Sequence, residues 1–279
     1  HDSLKISNGK WIWWSRGIGG RSALDYLIKV KGYSFLEAVE TIIGHTAIQA
    51  PVYEKPQLKE ENKPLLLPEK CASNRVITEY LFGRGIDFEI INYCISNDLI
   101  FESLPYHNVV FVGYDEKKEP KYAAYRSTNK RRIMGDCSGS KKDYSFRLGK
   151  ENLEEVHLFE CAIDLLSYAT LAKLNGQDWK EMSFVSLSGV YSPAKKIEDS
   201  KVPIALEKYL GSNPSVRKIR IHFDNDIAGR KAAQTLKIIL PDKYEIVDEP
   251  PKAGKDFNDF LCMQMGIYNK KTHERNEER

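Results

Sequence analysis

Strand-like and helix-like segments alternate along residues 153–265. Short runs rich in Val, Ile and Phe are followed by longer runs whose apolar residues recur at helical spacing. The pattern predicts strands at 156–160, 184–187, 218–223 and 244–247, and helices at 162–174, around 205–209, at 227–240 and at 257–265. This alternation is typical of an α/β domain built on a mostly parallel sheet.

Acidic side chains fall at the ends of the predicted strands. Glu160 ends the first strand, and Asp224 and Asp226 follow the third with one residue between them. The carboxyl ends of parallel strands meet at one edge of a sheet, and Mg²⁺ prefers oxygen ligands. Helix capping would explain Asp226 alone, so the set favours a divalent-metal site.

Two further acids stand near this predicted site. Asp164 lies one helical turn after Glu160, and Asp256 precedes the last predicted helix. Each is either a metal ligand or a helix cap, and the pattern leaves both interpretations open.

A basic stretch precedes this region. Nine basic and two acidic residues lie in 117–142, although the whole chain carries a formal charge of only +3. The stretch falls on a predicted hairpin of strands at 109–114 and 121–126, with Tyr122 and Tyr125 inside it. Basic residues interleaved with aromatic ones are typical of a surface that follows a phosphate backbone. A solvated Lys-rich hairpin is the alternative.

The candidate nucleic-acid-binding residues are Arg84, Lys121, Arg126, Lys130, Arg131, Arg132, Lys141 and Lys142. For Arg84 a second interpretation is equally open, since the side chain could stabilise the turn at 83–85. Upstream of the hairpin we predict two helices, at 73–81 and 87–94, and a strand at 99–102.

The first 50 residues read as a small unit of two strands, a Gly-rich turn at 17–20 and two helices. Ser22 is a predicted helix cap, and Ser34 with Glu37 form a predicted capping box. Four of the twelve prolines follow, which indicates a linker. We therefore predict an N-terminal unit at 1–50, a linker at 51–70, a basic subdomain at 71–150, an α/β domain at 151–266 and a polar tail at 267–279.

Composition excludes several classes of protein. No apolar run approaches the roughly 20 residues that a membrane span needs, and the mean hydropathy is -0.47. No secretory signal is visible, but the chain starts at His1, so it could be a fragment. The five cysteines never form C-x-x-C, so neither a disulfide framework nor a local zinc motif is predicted. We expect a cytoplasmic protein without membrane partners.

The α/β region resembles a known domain. Glu160 and Asp164 in ECAIDLLS, the Ser188–Gly189 pair, and DNDIAG at 224–229 resemble the Toprim domain of bacterial primases, type IA and II topoisomerases and some nucleases. KAGKDFNDFL at 252–261 is similar to the last Toprim element. The resemblance implies a Rossmann-like, mostly parallel sheet.

The preceding regions resemble primases. YLFGRGID at 80–87 is similar to the motif that opens the basic α+β subdomain before Toprim in bacterial primases, and residues 1–50 resemble their zinc ribbon. No Cys lies in residues 1–50, where only His1 and His45 could coordinate, so this zinc-ribbon-like unit is degenerate and no zinc is expected. The chain most resembles primase-like proteins of plasmids and integrative mobile elements.

This resemblance implies template-dependent primer synthesis from nucleoside triphosphates on single-stranded DNA, with a helicase or relaxase as a possible partner. The implied catalytic residues are Glu160, Asp224 and Asp226. The implied ligands of Mg²⁺ or Mn²⁺ are Glu160, Asp224, Asp226, Asp164 and Asp256.

Two departures from the Toprim pattern keep alternatives open. Cys161 stands where the family has Gly, and Asn258 replaces the second acid of a pair that begins at Asp256. These changes favour a non-catalytic nucleic-acid-binding Toprim protein, and a Toprim nuclease is a further alternative. We interpret Cys161 as a small buried residue rather than a redox thiol, and His222 as a strand residue rather than a general base.

Overall fold

The computed structural model describes residues 3–46, 63–189, 191, 193–194 and 196–267. The chain divides into two compact units, His1–Glu61 and Asn62–Arg279. Most of the predicted linker and nearly all of the predicted polar tail lie outside the described residues. The further boundary predicted at residue 150 stays a prediction.

The first unit contains a three-stranded antiparallel sheet and two helices. Its elements are β1 (Leu4–Ser7), β2 (Lys10–Trp13), β3 (Ile18–Gly20), α1 (Ala23–Lys29) and α2 (Phe35–Thr46). The predicted caps are confirmed: Ser22 Oγ accepts the N–H of Asp25 at 3.1 Å, and Ser34 and Glu37 form the reciprocal capping box.

The Gly-rich segment corrects one prediction. We expected a turn at 17–20, but Ile18–Gly20 forms β3 and pairs with β2. A Cβ atom on Gly20 would lie 2.6 Å from the indole nitrogen of Trp11. Glycine therefore lets this strand lie directly against the Trp11 ring, and a contact of this kind is invisible to local turn signals.

The second unit begins with two helices and an antiparallel sheet. These elements are α3 (Arg75–Phe82), α4 (Phe88–Ser96), β4 (Ile100–Glu102), β5 (Val109–Tyr114), β6 (Pro120–Arg126) and β7 (Met134–Asp136). The sheet order is β4-β5-β6-β7. The predicted hairpin of β5 and β6 is confirmed.

The remaining elements form the α/β region. They are β8 (Arg147–Gly149), β9 (Glu155–Phe159), α5 (Ala162–Leu174), β10 (Ser183–Ser186), α6 (Ile204–Ser212), β11 (Lys218–His222), α7 (Ile227–Ile239), β12 (Glu245–Asp248) and α8 (Phe257–Gln264). The order is β12-β11-β9-β10-β8, parallel except for the antiparallel edge strand β8. This arrangement confirms the mostly parallel α/β fold.

Two hydrophobic clusters cover the faces of this sheet. One packs Val156 and Ile219 of the strands against Leu206 of α6 and Leu236 of α7. The other joins the sheet to α3, α4, α5 and α8 and also includes Phe111 of β5. The antiparallel sheet and the parallel sheet thus share one core, which holds α3 beside α8. None of the described helices is long and apolar enough to cross a membrane.

Candidate active site

Glu160 is the first residue after β9, at the carboxyl edge of the parallel sheet. Its side chain is only 5% exposed, and its Oε1 accepts the main-chain N–H of Asp224 at 3.2 Å. This bond joins the loops that follow two neighbouring strands, β9 and β11. Burial and the nearby Asp224 carboxylate raise the pKa of Glu160 to about 7.

Asp224 and Asp226 follow β11 but differ in their surroundings. Asp226 caps α7, where its Oδ1 accepts the N–H of Gly229 at 2.9 Å, and this bond holds the pKa of Asp226 below its usual range. Asp224 caps no helix, and burial followed by the charge of Asp256 raises its pKa. Capping therefore accounts for Asp226 only, as the sequence pattern indicated.

Lys255 stands between these two aspartates. Its Nζ lies 3.4 Å from Asp224 Oδ2 and 3.3 Å from Asp226 Oδ2. Both carboxylates thus already face one cationic group. A set of hard oxygen donors that faces a cation fits Mg²⁺ or Mn²⁺.

The two additional acids lie beside this set. Asp164 is buried in the first turn of α5, and burial and the charge of Asp256 raise its pKa. Asp256 caps α8, accepting the N–H of Asp259 at 2.7 Å. We call Glu160, Asp164, Asp224, Asp226 and Asp256 the acidic group. Electrostatic interactions connect its members: Asp256 acts on Asp164 and Asp224, and Asp224 and Asp226 act on Glu160.

Arg84 and Arg126 lie near residues that flank the acidic group. The hydroxyl oxygen of Tyr80 accepts from Arg126 Nε at 3.1 Å and from Arg84 Nη1 at 3.5 Å. The charge of Arg84 acts on Asp259, next to the acidic group, and that of Arg126 acts on Cys161. Two of the predicted nucleic-acid-binding residues are therefore held as a pair.

A cavity of about 290 Å³ opens beside Arg126. Its walls come from β6 and β7 on one side and from the loops after β9 and β10 on the other. Lys142 lines the cavity, with its Nζ 3.1 Å from Asp136 Oδ2 and 3.4 Å from the carbonyl oxygen of Ser188.

The other basic candidates lie elsewhere. Lys130, Arg131 and Arg132 are exposed in the loop between β6 and β7, residues 127–133, which we call the basic loop. Among the residues that the structure describes, these three form no ion pair. Lys141 is also exposed.

Lys121 is separated from this set. It alternates along β6 with Tyr122 and so points to the face of the sheet opposite that of Arg126. Its Nζ lies 2.6 Å from Glu119 Oε2 and 3.4 Å from Asp115 Oδ2. The structure therefore does not bring Lys121 together with Arg84 and Arg126.

Comparison with known proteins classifies the parallel-sheet region. Residues 157–261 match a family described as Toprim-like. The chain contains a Toprim-like domain. Residues 79–152, which hold the antiparallel sheet, match a family described as a protein of unknown function (DUF3991). No match was found among the curated proteins.

Several solved primase structures are similar in fold. The primase fragment of the bacteriophage T7 primase-helicase protein is 15% identical, with a TM-score of 0.46, over 94% of this chain and 89% of that one. The zinc-binding and RNA polymerase domains of Aquifex aeolicus primase are 16% identical, with a TM-score of 0.42, over 95% and 73%. The E. coli primase catalytic core is 12% identical, with a TM-score of 0.44, over 73% of this chain and 72% of that one.

Asn258, one of the two departures in the Toprim-like domain, is a structural residue. It is 2% exposed, and its main-chain N–H donates to Asp164 Oδ1 at 3.1 Å. Its side-chain amide donates to the carbonyl oxygen of Arg84 at 2.9 Å and to Ser167 Oγ at 3.0 Å. An ionised Asp could make neither side-chain donation, and its charge would face Asp164.

Cys161, the other departure, donates its thiol to Asp164 Oδ2 at 2.8 Å. Burial and the Asp164 charge raise the pKa of Cys161 well above its usual value. This environment does not fit a low-pKa redox thiol. His222 is buried in β11, where its Nε2 lies 2.9 Å from Nδ1 of His157 on the neighbouring strand β9, as expected for a strand residue.

Gly229 and Arg230 are site residues whose roles the sequence analysis did not identify. A Cβ atom on Gly229 would lie 2.2 Å from the carbonyl oxygen of Asp224 and 3.0 Å from Glu160 Oε1, so the backbone of α7 closes against both acids. Arg230 donates to the carbonyl oxygens of Asp224 (3.1 Å) and Phe223 (2.8 Å) and pairs with Asp248. An Arg in the first turn of a helix opposes the helix dipole, which is the signal that could have identified it.

Proposed function

We propose that this protein is a primase-like nucleotidyltransferase that synthesises primers on single-stranded DNA with the help of a divalent metal ion. The observation that carries the proposal is the hydrogen bond from the backbone of Asp224 to Glu160, with Lys255 between Asp224 and Asp226. Such a site offers carboxylates to a metal, and neighbouring cationic side chains suit phosphates.

Glu160, Asp224 and Asp226 would hold the metal, with Asp164 and Asp256 as further ligands or as their supports. When bound, a Mg²⁺ or Mn²⁺ ion would neutralise charge on a nucleoside triphosphate and align the reacting phosphate.

The chain's own groups supply the rest of the chemistry. Glu160 would help to hold the metal ion or assist transfer of the proton from an attacking 3′-hydroxyl group. Lys255 is more than half exposed, so its ammonium group is free to turn from the aspartates to a phosphate oxygen. Arg230 and Gly229 hold the Asp224 backbone in place.

The basic residues would hold the nucleic acid. We propose that Arg126 and Lys142, which line the cavity, and Arg84, which shares the Tyr80 hydroxyl with Arg126, contact phosphates. Lys130, Arg131, Arg132 and Lys141 would contact the template strand outside the cavity. Lys121 is satisfied by two carboxylates and is left out of this set.

The biological setting is part of the same proposal. We infer a cytoplasmic protein of a plasmid or other mobile element that works beside a helicase or relaxase. The resemblance of the sequence to primase-like proteins of such elements supports the setting. The scattered cysteines agree with a reducing compartment.

The two alternatives, a Toprim nuclease and a non-catalytic binding protein, have no structural feature of their own in their favour. The non-catalytic interpretation depended on the missing zinc ligands of residues 1–50 and on Cys161 and Asn258. Both side chains stabilise the site by donating hydrogen bonds, and both leave the acidic group in place.

The test is incorporation of labelled nucleotides on a single-stranded DNA template with Mg²⁺ and then Mn²⁺. We expect short products from the parent protein and from Asp242→Ala, an exposed control in the same domain, and none from Asp224→Ala. Absence of products from the parent, with strand binding intact, would instead support a binding protein. Degradation of the template would support a nuclease.

A further inference from the structure

A cluster of three different metal-ligating side chains lies outside the Toprim-like domain and its acidic group. The ligand atoms of Cys71, Glu102 and His107, which we call the trio, all lie within 4.8 Å of one another. In the described part of the chain, no other three Cys, His, Asp or Glu residues have ligand atoms this close to one another, and the acidic group does not either. Glu102 is 2% exposed, Cys71 is partly buried, and 46% of the His107 side chain is exposed.

Backbone hydrogen bonds hold the three residues in place. The N–H of Cys71 donates to the carbonyl oxygen of Glu102 at 2.7 Å, beside a bridge between Lys70 and Ser103. The N–H of His107 donates to the carbonyl oxygen of Ser103 at 2.8 Å, and His107 adopts a left-handed backbone with φ +52°. A non-glycine residue in this region carries strain, which is common at ligand-holding positions.

Capping of α3 accounts for only part of this arrangement. Glu102 Oε2 accepts the N–H groups of Val76 and Ile77 at 2.9 and 3.2 Å. Its other oxygen, Oε1, lies 2.5 Å from His107 Nδ1. Neither interaction requires a thiol, yet the Sγ of Cys71 completes the group.

We propose that Cys71, Glu102 and His107 bind one Zn²⁺ ion through the thiolate, Glu102 Oε1 and His107 Nδ1, with water in the fourth position. Zinc takes sulfur, imidazole and carboxylate ligands in tetrahedral sites. Mg²⁺, which prefers oxygen ligands, does not suit this set. Binding displaces the protons of the thiol and of Nδ1.

This proposal revises the expectation that no zinc is bound. That expectation depended on the missing cysteines of residues 1–50 and on the absence of a local C-x-x-C motif, whereas the trio joins residues that are distant in sequence. The trio and the Arg84 turn stand at opposite ends of α3, an eight-residue helix about 12 Å long. The proposed zinc site is thus separate from the Toprim-like site and does not depend on the function proposed for it.

A zinc ion here would connect three segments. Cys71 precedes α3, Glu102 ends β4, and His107 lies in the turn before β5. The carbonyl oxygen of His107 also accepts from Thr128 Oγ1 at 2.9 Å, within the basic loop. Zinc would therefore fix the turn to which Thr128, at one end of the basic loop, is hydrogen-bonded.

The test uses the purified full chain, with Co²⁺ as a spectroscopic substitute for Zn²⁺ and excess Mg²⁺ to block oxygen-ligand sites. We expect one Co²⁺ per chain, with the visible bands of four-coordinate cobalt and a thiolate-to-cobalt charge-transfer band, both reversed by Zn²⁺. Cys71→Ser should remove the charge-transfer band. Cys137→Ala, a change at a buried cysteine of the same unit, should keep it.

A second variant separates zinc binding from folding. Glu102 caps α3, so its removal would disturb the fold, but the ring of His107 is half exposed. His107→Gln should weaken Zn²⁺ binding at least about 10-fold, with an unchanged circular dichroism spectrum. A cobalt complex without the charge-transfer band, or equal Zn²⁺ affinity in the parent, Cys71→Ser and His107→Gln, would overturn the proposal and leave the trio as a hydrogen-bonded cap.

Discussion

The side-chain amide of Asn258 donates a hydrogen bond to the main-chain carbonyl oxygen of Arg84 at 2.9 Å. This bond connects the first turn of α8 to the turn after α3. The helix α8 follows Asp256 of the acidic group, and the turn after α3 contains Arg84, which is proposed to contact phosphate. The relative placement of acidic and basic groups therefore depends on a neutral amide at position 258.

Asn258→Asp should lower both stability and activity. The new carboxylate would lose two donations and lie buried beside Asp164, and such changes cost about 3 kcal/mol in the free energy of unfolding. Urea denaturation measures this change. The exposed Asn175→Asp is the matched control, and an equal effect of the two variants would contradict the role given to Asn258.

Gly229→Ala should abolish nucleotide incorporation. The added methyl group would meet the Asp224 carbonyl oxygen at 2.2 Å and push the loop that carries two proposed ligands. Gly211→Ala is the control, because a Cβ atom at Gly211 in α6 meets nothing within 4 Å. This control should be neutral or stabilise by up to about 1 kcal/mol. Normal activity of Gly229→Ala would show that the close contact between Gly229 and the Asp224 carbonyl oxygen is not required.

Metal-induced stabilisation should depend on pH. The pKa of Glu160 rises from 4.5 to about 7 on folding. Its protonation thus stabilises the metal-free protein most below pH 4.5, and this contribution is lost as pH rises through about 7. A divalent cation replaces that proton, so the rise in melting temperature caused by Mg²⁺ should grow between pH 6 and pH 8, within about one unit of that pKa.

Thermal melts with and without Mg²⁺ at each pH measure this effect. Because only the difference between the two melts is compared, titrating groups outside the acidic group largely cancel. Glu160→Gln should make the Mg²⁺ effect smaller and less dependent on pH, and the dependence that remains is assigned to Asp164, whose pKa is also raised to about 7. A pH-dependent gain of the same size in Glu160→Gln would assign the titration to another group.

The basic loop should dominate the salt dependence of single-strand binding. Replacing Lys130, Arg131 and Arg132 together by Ala should flatten the slope of log affinity against log salt by about 2 units, since each neutralised phosphate on a single strand contributes about 0.7. Lys121→Ala should leave the slope unchanged, because Lys121 is paired with Glu119 and Asp115. Fluorescence anisotropy with a labelled oligonucleotide at several salt concentrations measures both.

Local pattern was sufficient for most of the regular structure. The helix α5 was predicted with the bounds that it has, and β5 likewise, because each carries its own periodicity. The strands β3, β7 and β8 were missed. They have three residues each, too few to show a period of their own. In addition, β8 pairs with residues that are distant in sequence, as Gly149 does with Ser183.

Local pattern was enough to predict the alternating α/β framework and the acidic residues at strand ends, because strand and helix periods are properties of short segments. Packing between segments fixed which side chains meet. It brought Asn258 to Arg84 and assembled Cys71, Glu102 and His107. Contacts of this kind depend on how the sheets and helices pack around their shared core, and no local pattern encodes that packing.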